Sequence, residues 1–300
     1  MKRIIIIYNP RSSKYKNVER EVLDKVRELK GYTVGKYEVI NTDVDDNAKH
    51  FAKIIQDDDL VLAVGGDATA AIGVNGIINS KKDVKLAVLP YGNFNDLART
   101  LGTNNLEQVL DGKARNFYPL EILVDGRHFR YASSYVTIGM TAESVELFDS
   151  EKVRKELQKG SKSSWKSYIQ LVKWYFKNRG KDFLPEFKLN GKLMPKDTTD
   201  YAALNARSMA RVMKGGDWFL NPKEFWHETG RFKSLWRLTK LMVPSILKQT
   251  PGSLTKGTDV LEFLENGSVE LQAEGEYRVF KNIKKIEIRK ADQCLKVVMR

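Results

Sequence analysis

The first third of the chain alternates between short apolar runs and segments with apolar residues at helical spacing. Arg3–Tyr8 is a β-branched run that ends at an Asn-Pro turn. Leu60–Val64 is a continuous apolar run, of the kind that is buried on both faces of a parallel sheet. Between residues 14 and 30, apolar side chains recur at helical spacing: Val18, Val22, Val26 and Leu29. Strands and helices in alternation predict a doubly wound parallel sheet over residues 1–115.

Weaker patterns complete this first domain. We expect strands at Tyr32–Ile40 and Leu86–Leu89, and helices at Asn47–Gln56, from Asp67 to about Asn79, and at Asn95–Leu101.

From about residue 116 onward, strand candidates follow one another directly. They are Asn116–Val124, Arg130–Ile138, Glu186–Leu189, Tyr201–Asn205, Val260–Leu264, Ser268–Gln272, Ile283–Arg289 and Leu295–Met299. Turn signals such as Asp125-Gly126 and Asn266-Gly267 separate them, as antiparallel hairpins require. The pattern predicts a β-rich, sandwich-like C-terminal domain over residues 116–300, whose last strand is a candidate to return to the first domain. Helical insertions are expected near residues 142–179 and 231–248.

Charge and cysteine content indicate the kind of partner and the compartment in which the protein works. The formal net charge of +13 favours an anionic partner, which leaves nucleic acid, an acidic membrane surface and a phosphorylated ligand as alternatives. No apolar run approaches the ~20 residues of a membrane span, and no signal-peptide pattern is present. The lone Cys294 fits a reducing compartment, so we expect a cytoplasmic protein.

A glycine-rich turn follows the most apolar strand. Gly65 and Gly66 permit close approach of backbone N–H groups to an anion, and the helix that follows offers its N-terminus to phosphate. Asp67 is then available to hold a metal on the phosphates or to act on a substrate hydroxyl. The alternative for this segment is a tight strand-to-helix turn with an Asp N-cap.

A second glycine turn ends the next strand. It carries Asn93, Asn95 and Asp96 at the start of the following helix. Because the loops at the carboxyl ends of neighbouring parallel strands converge, the two turns together predict one shared nucleotide site.

These segments resemble the diacylglycerol-kinase-type lipid kinases, the group that includes sphingosine and ceramide kinases. Tyr8-Asn9-Pro10 follows the opening strand, GGDAT at 65–69 is similar to GGDGT, and PYGNFNDLAR at 90–99 is similar to PxGTxNDFAR. Late in the chain, AEGE at 273–276 is similar to Asp-Gly-Glu. With weaker similarities at 138–143 and 205–222, the resemblance spans nearly the whole chain.

The resemblance implies an ATP-dependent lipid kinase of phospholipid metabolism, which transfers the γ-phosphoryl group to the hydroxyl of diacylglycerol or a related lipid with Mg²⁺. It implies an NAD-kinase-like α/β domain, a β-sandwich-like second domain, and ATP meeting the lipid in the cleft. Glu276 corresponds to the proposed general base, with Asp67 as a second catalytic residue and Asp67 and Asp96 at the metal. The residues expected at the nucleotide are Asn9, Thr42, Gly65, Gly66, Asp67, Ala68, Thr69, Ala70, Ala71, Asn93 and Asn95.

Several positions depart from the family pattern. Ala68 replaces a glycine, Ala71-Ile72 replaces Asn-Glu, and Glu274 replaces the Asp of Asp-Gly-Glu. If position 68 needs a positive φ, alanine there costs roughly 1–2 kcal/mol. The Asp-Gly that helps to bind a structural metal in bacterial members resembles Glu228-Thr229-Gly230 here. Two alternatives therefore stay open: a catalytically degenerate nucleotide- or lipid-binding pseudoenzyme of the same fold, and an NAD kinase.

Basic and aromatic residues occur together in both helical insertions. One face of the first insertion carries apolar side chains, which are Trp165, Tyr168, Ile169, Val172, Tyr175 and Phe176. The second insertion includes Trp236 and Lys240 and contains no acidic residue between 231 and 248. Such helices bind anionic membrane surfaces with the apolar side down, so we expect peripheral membrane association. The alternative is ordinary packing on the β domain. No nucleic-acid-binding module accompanies the charge, and the sequence indicates neither the acceptor lipid nor the oligomeric state.

Overall fold

A computed structural model describes residues 2–10, 12, 14–149, 161–210 and 213–300, without the side chains of residues 146, 148, 149 and 161–168. The N-terminal domain is built on a six-stranded sheet with the order β2-β1-β3-β4-β20-β5. Its strands are β1 (Lys2–Tyr8), β2 (Tyr32–Glu38), β3 (Leu60–Gly65), β4 (Lys85–Pro90), β5 (Lys113–Phe117) and β20 (Leu295–Met299). All neighbours are parallel except the pair of β20 and β5. The last strand of the chain thus lies within the first sheet.

Helices cover both faces of this sheet. They are α1 (Tyr15–Val18), followed by a π turn (Glu19–Leu23), then α2 (Asp24–Arg27), α3 (Val44–Ala52), α4 (Asp67–Ser80), α5 (Asp96–Leu101) and α6 (Leu106–Asp111). Alternate residues of β1 and β3 point into two separate cores, with Val61 in the core beneath α3 and α4 and Leu62 in the core beneath α1 and α2. Burial on both faces explains why these strands are apolar without interruption.

The C-terminal domain contains two further six-stranded sheets, with the orders β10-β9-β16-β19-β6-β7 and β15-β14-β11-β8-β17-β18. The strands of the first are β6 (Leu120–Val124), β7 (Arg127–Ala132), β9 (Phe187–Leu189), β10 (Lys192–Leu193), β16 (Thr258–Phe263) and β19 (Lys285–Lys290). Those of the second are β8 (Tyr135–Gly139), β11 (Asp200–Leu204), β14 (Glu224–Gly230), β15 (Ser253–Lys256), β17 (Ser268–Ala273) and β18 (Glu276–Lys281). Both sheets contribute to one apolar core, which makes this part a β-sandwich.

Shorter elements complete the C-terminal domain. They are the hairpin of β12 (Ser208–Met209) and β13 (Met213–Lys214), a 3₁₀ turn (Trp218–Leu220), and the helices α7 (Met140–Asp149), α8 (Ser161–Asn178) and α9 (Leu235–Leu247). In the part of the chain that the structure describes, none of these or the other helices is long and apolar enough to cross a bilayer.

The predicted fold class is confirmed: an α/β domain with a parallel sheet precedes an antiparallel β-rich domain. The predicted insertions contain α7, α8 and α9. Sequence reasoning missed β10, β12, β13, β14, β15 and β18. It also predicted single strands at Asn116–Val124 and Arg130–Ile138, where the structure has the separate pairs β5 and β6, and β7 and β8, in different sheets. The sequence EFWHETG of β14 mixes polar with apolar residues on both faces, because one face lines a cavity instead of the sandwich core.

Candidate active site

A cavity of about 810 Å³ lies between the two domains. At one end it is lined by the glycine turns after β3 and β4, together with Asn9. At the other end it is lined by apolar side chains from the helices of the C-terminal domain and from the turn before the last of them, which are Met140, Leu171, Val172, Tyr175, Phe232, Leu235, Leu241 and Met242. One continuous space therefore joins a polar, backbone-rich end to an apolar chamber.

The two glycine turns touch each other through their backbones. A Cβ added to Gly92 would lie 2.1 Å from the Cα of Gly66, and one added to Gly66 would lie 3.2 Å from the Cα of Gly92. The N–H of Tyr91 donates to the carbonyl of Gly65 over 3.0 Å. Glycine is required at both positions because the two backbone segments approach so closely. A positive φ is not the reason, since neither Gly66 nor Gly92 has one.

Asp67 begins α4 and connects the two turns. Its carboxylate accepts hydrogen bonds from the backbone N–H groups of Asn95, over 3.0 Å, and Asp96, over 2.7 Å. Burial, with the nearby charge of Asp96 as the second cause, raises the pKa of Asp67 to about 7. A cation beside the Asp67 carboxyl would favour its ionised form.

Asp96 lies behind Asp67, fully buried, and joins the domains. Its carboxylate accepts hydrogen bonds from the hydroxyl of Ser208 and, over 2.7 Å, from the N–H of Ala210. Asn95, the residue before it, has a left-handed backbone with φ of 59°. The Asn95 side chain closes its own turn, because its oxygen accepts from the N–H of Gly92 and its amide donates to the carbonyl of Gly92.

A tight hairpin turn brings a third acidic residue to the cavity. Glu274 and Gly275 both have positive φ, 55° and 79°, between the paired residues Ala273 and Glu276, which is the type I′ geometry. The Glu274 side chain lines the cavity and is 1% exposed. One of its oxygens accepts from the N–H of Ser134 over 2.7 Å. The other, Oε2, has no partner with hydrogen-bond geometry among the described residues. Burial raises the pKa of Glu274 to about 8.

Glu276 points away from the cavity lining. Its carboxylate forms ion pairs with Arg130 and, over 3.0 Å, with Arg278. The buried Arg130 also binds Asp45 of α3 over 2.6 Å, and Arg278 binds Asp43 over 2.7 Å. These groups form an ionic cluster that joins the C-terminal domain to the start of α3.

The nucleotide residues expected from the sequence divide into two groups. Those that line the cavity are Asn9, Gly65, Gly66, Asp67, Ala68, Thr69 and Asn93. Thr42 is exposed outside the lining, Ala70 and Ala71 are buried in the apolar core, and Asn95 and Asp96 are buried behind the loops. The roles of all these residues stay predictions.

The departures from the family pattern divide between the cavity and the core: Ala68, Glu228 and Glu274 line the cavity, whereas Ala71 and Ile72 do not. Ala68 is in the first turn of α4 without a positive φ, so the expected cost of alanine there does not arise. Ala71 and Ile72 are buried in the apolar core and do not line the cavity. Sequence reasoning missed Ser134, Tyr135, Ser208 and Gln272 near the site. Only the strand register, which requires the structure, reveals Tyr135 and Gln272 on the cavity face.

In this structure an α/β domain with two touching glycine loops is closed by a β-sandwich. Residues 3–120 match the diacylglycerol kinase catalytic domain. This match, over 118 of the 300 residues, includes both glycine turns whose motifs resemble that family.

Similar proteins agree with this family. The chain is 36% identical over 140 residues to a diacylglycerol kinase of Bacillus subtilis, covering 43% of this chain and 44% of the relative. It is 37% identical over 142 residues to a diacylglycerol kinase of Staphylococcus epidermidis, and this alignment covers 42% of this chain and 44% of the relative. These alignments span less than half of the relatives' length. The crystal structure of a diacylglycerol kinase from Bacillus anthracis has the same fold, with a TM-score of 0.67 and 13% identity over 100% of this chain and 97% of that one.

Proposed function

We propose that the protein is an ATP-dependent lipid kinase, which transfers the γ-phosphoryl group of ATP to a lipid hydroxyl in the cavity between the domains. The observation that carries this proposal is the continuity of the cavity. Its glycine-loop end suits phosphates, its other end suits an apolar chain, and the carboxyls of Asp67 and Glu274 both line it.

The nucleotide end would bind phosphates mainly through the backbone. Gly65 and Gly66 leave space for an anion above the N-terminus of α4, a helix of 14 residues whose first N–H groups have no intrahelical partner. Thr69, Asn9 and Asn93 add polar side chains to the lining. Phosphoryl transfer depends mostly on such positioning and on neutralising charge on the phosphoryl oxygens.

The residues present fit a Mg²⁺ ion that is shared with the nucleotide. Among the described residues, no group of three or more His, Cys, Asp or Glu side chains could hold a metal. Mg²⁺ bound to a nucleotide commonly uses one or two carboxylates together with substrate phosphates, so a full protein cage is not required. Asp67 would hold the ion, with Asp96 supporting Asp67 from behind. The ion would neutralise charge on the phosphates and favour ionised Asp67.

Two glutamates are candidates for the base that takes the proton of the acceptor hydroxyl. Glu276 is the residue predicted from the family motif, and its ion pairs with Arg130 and Arg278 keep its carboxylate occupied. Glu274 lines the cavity, has an unpartnered oxygen and has a pKa of about 8, close to the value that general base catalysis requires. We favour Glu274 as the base and Glu276 as a positioning residue.

The apolar chamber opens between α8 and α9, where lipid could enter. Val172, Phe176, Leu235 and Ile246 line the cavity and are also exposed on the surface. Beside them Trp236 is 67% exposed, with the Lys240 ammonium 5.1 Å from the centre of its ring. We propose that this face, together with the neighbouring Lys and Arg side chains, binds an anionic membrane surface and admits the acceptor lipid. Trp165 and Tyr168, predicted for the same face, have side chains outside the described part.

The experiment that tests the function incubates the full chain with γ-labelled ATP, Mg²⁺ and a total lipid extract. Label in the lipid fraction, lost in Asp67→Asn, supports a kinase. ATP binding without label in any lipid would favour the catalytically degenerate alternative, and label transferred to added NAD would favour an NAD kinase. The position of Ala71 and Ile72 in the core favours turnover over degeneracy, since their change removes no polar group from the cavity.

A further inference from the structure

The charges that line the cavity are opposite to those of the whole protein. The chain has a formal net charge of +13, yet the described cavity lining contains four carboxyl groups and no Lys, Arg or His. Two of them, Asp67 and Glu274, belong to the reaction proposed above. The other two, Asp200 and Glu228, have no part in it.

Asp200 and Glu228 lie on neighbouring strands of the sheet that forms one wall of the cavity. Asp200 begins β11, and Glu228 on β14 pairs with Ala202, two residues further along β11. Because side chains alternate along a strand, Asp200 and Glu228 project from the same face as diagonal neighbours. They are 1% and 5% exposed. Burial and the proximity of Asp200 raise the pKa of Glu228 well above its usual value.

The two carboxyls differ in their hydrogen bonds. Asp200 accepts from the backbone N–H of Thr141 over 2.6 Å and from its hydroxyl over 2.9 Å. Glu228 has no hydrogen bond or ion pair from its side chain to any described residue, although it lines the cavity. A buried carboxyl without a partner is costly, and it retains an acceptor oxygen whether or not it is protonated. Glu228 therefore presents an acceptor oxygen that is available to a hydrogen-bond donor on the occupant of the cavity.

The distance between Glu228 and Glu274 restricts the kind of ligand that can contact both residues. Glu228 pairs with Ala202, Ala202 pairs with Thr137 and Thr137 pairs with Gln272, so Glu228 and Gln272 are three strands apart. At ~4.8 Å between strands their backbones are about 14 Å apart, and Glu274 follows Gln272 by two residues. The single hydroxyl of a diacylglycerol cannot contact both Glu274 and Glu228, since it is one group and its ester groups donate no hydrogen bond.

We propose that the acceptor is an uncharged lipid whose headgroup carries several hydroxyls, as a glycosyl diacylglycerol does. One hydroxyl would reach Glu274 and receive the phosphoryl group, while another would donate to Glu228. A sugar ring with the two glutamate side chains reaching toward it spans the gap between the strands. The described lining contains no Lys, Arg or His to pair with a phosphate, so it would disfavour lipids that already carry one, such as phosphatidylglycerol. This inference rests on the proposed lipid kinase function and specifies its substrate class.

The test uses the full chain and three acceptors of equal chain length: a monoglucosyl diacylglycerol, a diacylglycerol and a phosphatidylglycerol. Binding of short-chain forms is measured without ATP by the shift in melting temperature across a lipid titration. We expect the glucosyl lipid to bind about tenfold more tightly than diacylglycerol, since one net hydrogen bond to a buried polar group changes affinity by roughly a factor of ten. Phosphatidylglycerol is expected to bind most weakly.

Glu228→Leu should abolish the preference and strengthen the binding of diacylglycerol, because it replaces an unpaired buried carboxyl with an apolar group. Glu262→Leu, at an exposed position of β16, is the matched control and should keep the preference. Equal binding of the three lipids by the wild type, or an unchanged preference in Glu228→Leu, would overturn the inference.

A parallel assay with γ-labelled ATP separates this inference from the function on which it rests. Equally efficient transfer of label to diacylglycerol and to the glucosyl lipid would refute the inference and leave the kinase function intact. Selective binding of the glucosyl lipid without transfer to any lipid would refute the kinase function and support the recognition of hydroxyls by Glu228.

Discussion

The carboxylate of Asp67 accepts a hydrogen bond from the backbone N–H of Asp96 over 2.7 Å, and the carboxylate of Asp96 accepts one from the N–H of Ala210 over the same distance. The first bond joins the two glycine loops, and the second joins the α/β domain to the β-sandwich. Hydrogen bonds thus connect the nucleotide end of the cavity to the lipid-facing domain. A substitution of Asp67 or Asp96 should therefore affect the geometry of both ends of the cavity.

The contact between the glycine loops predicts the effect of one added methyl group. In Gly92→Ala the new Cβ would overlap the backbone of Gly66, at 2.1 Å from its Cα, so the loops must separate. We expect a loss of about 1–3 kcal/mol in the free energy of unfolding, as in other overpacked sites, and a loss of ATP binding. Urea denaturation and nucleotide titration measure the two effects. Gly180→Ala is the control, because a Cβ there meets nothing within 4 Å. Normal ATP binding by Gly92→Ala would contradict the proposed loop geometry.

The ionic cluster around Arg130 predicts a structural role for this residue. Arg130 is 1% exposed and pairs with Asp45 and Glu276, so its removal leaves two carboxylates without their cation. Arg130→Ala should lower the free energy of unfolding by about 3–5 kcal/mol, as measured in urea. The exposed pair of Arg20 and Glu21 is the control, since Arg20→Ala should leave the free energy of unfolding nearly unchanged. Equal losses in the two variants would show that the cluster does not join the domains.

Glu274 predicts a dependence of stability on pH. Burial raises its pKa to about 8 from the usual 4.5. Between these values the folded state binds more protons than the unfolded state, so the contribution of Glu274 to stability falls as pH rises from about 4.5 to about 8. Glu274→Gln does not titrate, so its stability relative to the wild type should increase between pH 5 and pH 8.5, as measured by urea denaturation at both values. A pH-independent difference would mean that Glu274 is ionised throughout this range.

The exposed face of α9 predicts binding to anionic membranes. Trp236→Ser removes the most exposed large apolar side chain of the helix, and Lys240→Glu reverses a charge beside it. The double variant should lose binding to vesicles that contain anionic lipid, as measured by sedimentation, with its melting temperature unchanged. Lys188→Glu on β9, outside this face, is a control of equal charge change. Unchanged binding by the double variant would disprove this membrane surface.

The sequence predicted the parallel sheet well because strands such as Leu60–Val64 are buried on both faces and carry an uninterrupted apolar signal. It also predicted that the loops at Gly66 and Gly92 meet, since neighbouring parallel strands end at the same edge.

The alternation of polar and apolar residues in the antiparallel strands did not show which polar residues face the cavity. The cavity face of the second sandwich sheet is lined by polar residues such as Asp200, Glu228 and Gln272, which resemble a solvated face in the sequence. The separation of Glu274 from Glu276 depends on a two-residue turn with positive φ at Glu274. Family motifs align such residues without showing which side chain enters the cavity. The side chains of residues 161–168 lie outside the described part, so the first half of the predicted membrane helix stays a prediction.

The central claim is that this cleft transfers phosphate from ATP to a lipid hydroxyl, and it is tested most directly by one measurement. The wild-type chain and Asp67→Asn, matched in circular dichroism and melting temperature, are incubated with γ-labelled ATP, Mg²⁺ and lipid vesicles, and label in the extracted lipid is counted over time. We predict label in lipid for the wild type and a rate at least about a hundredfold lower for Asp67→Asn, because the variant loses the carboxylate beside the phosphates. Equal rates in the two proteins, or no labelled lipid from the wild type, would contradict this account.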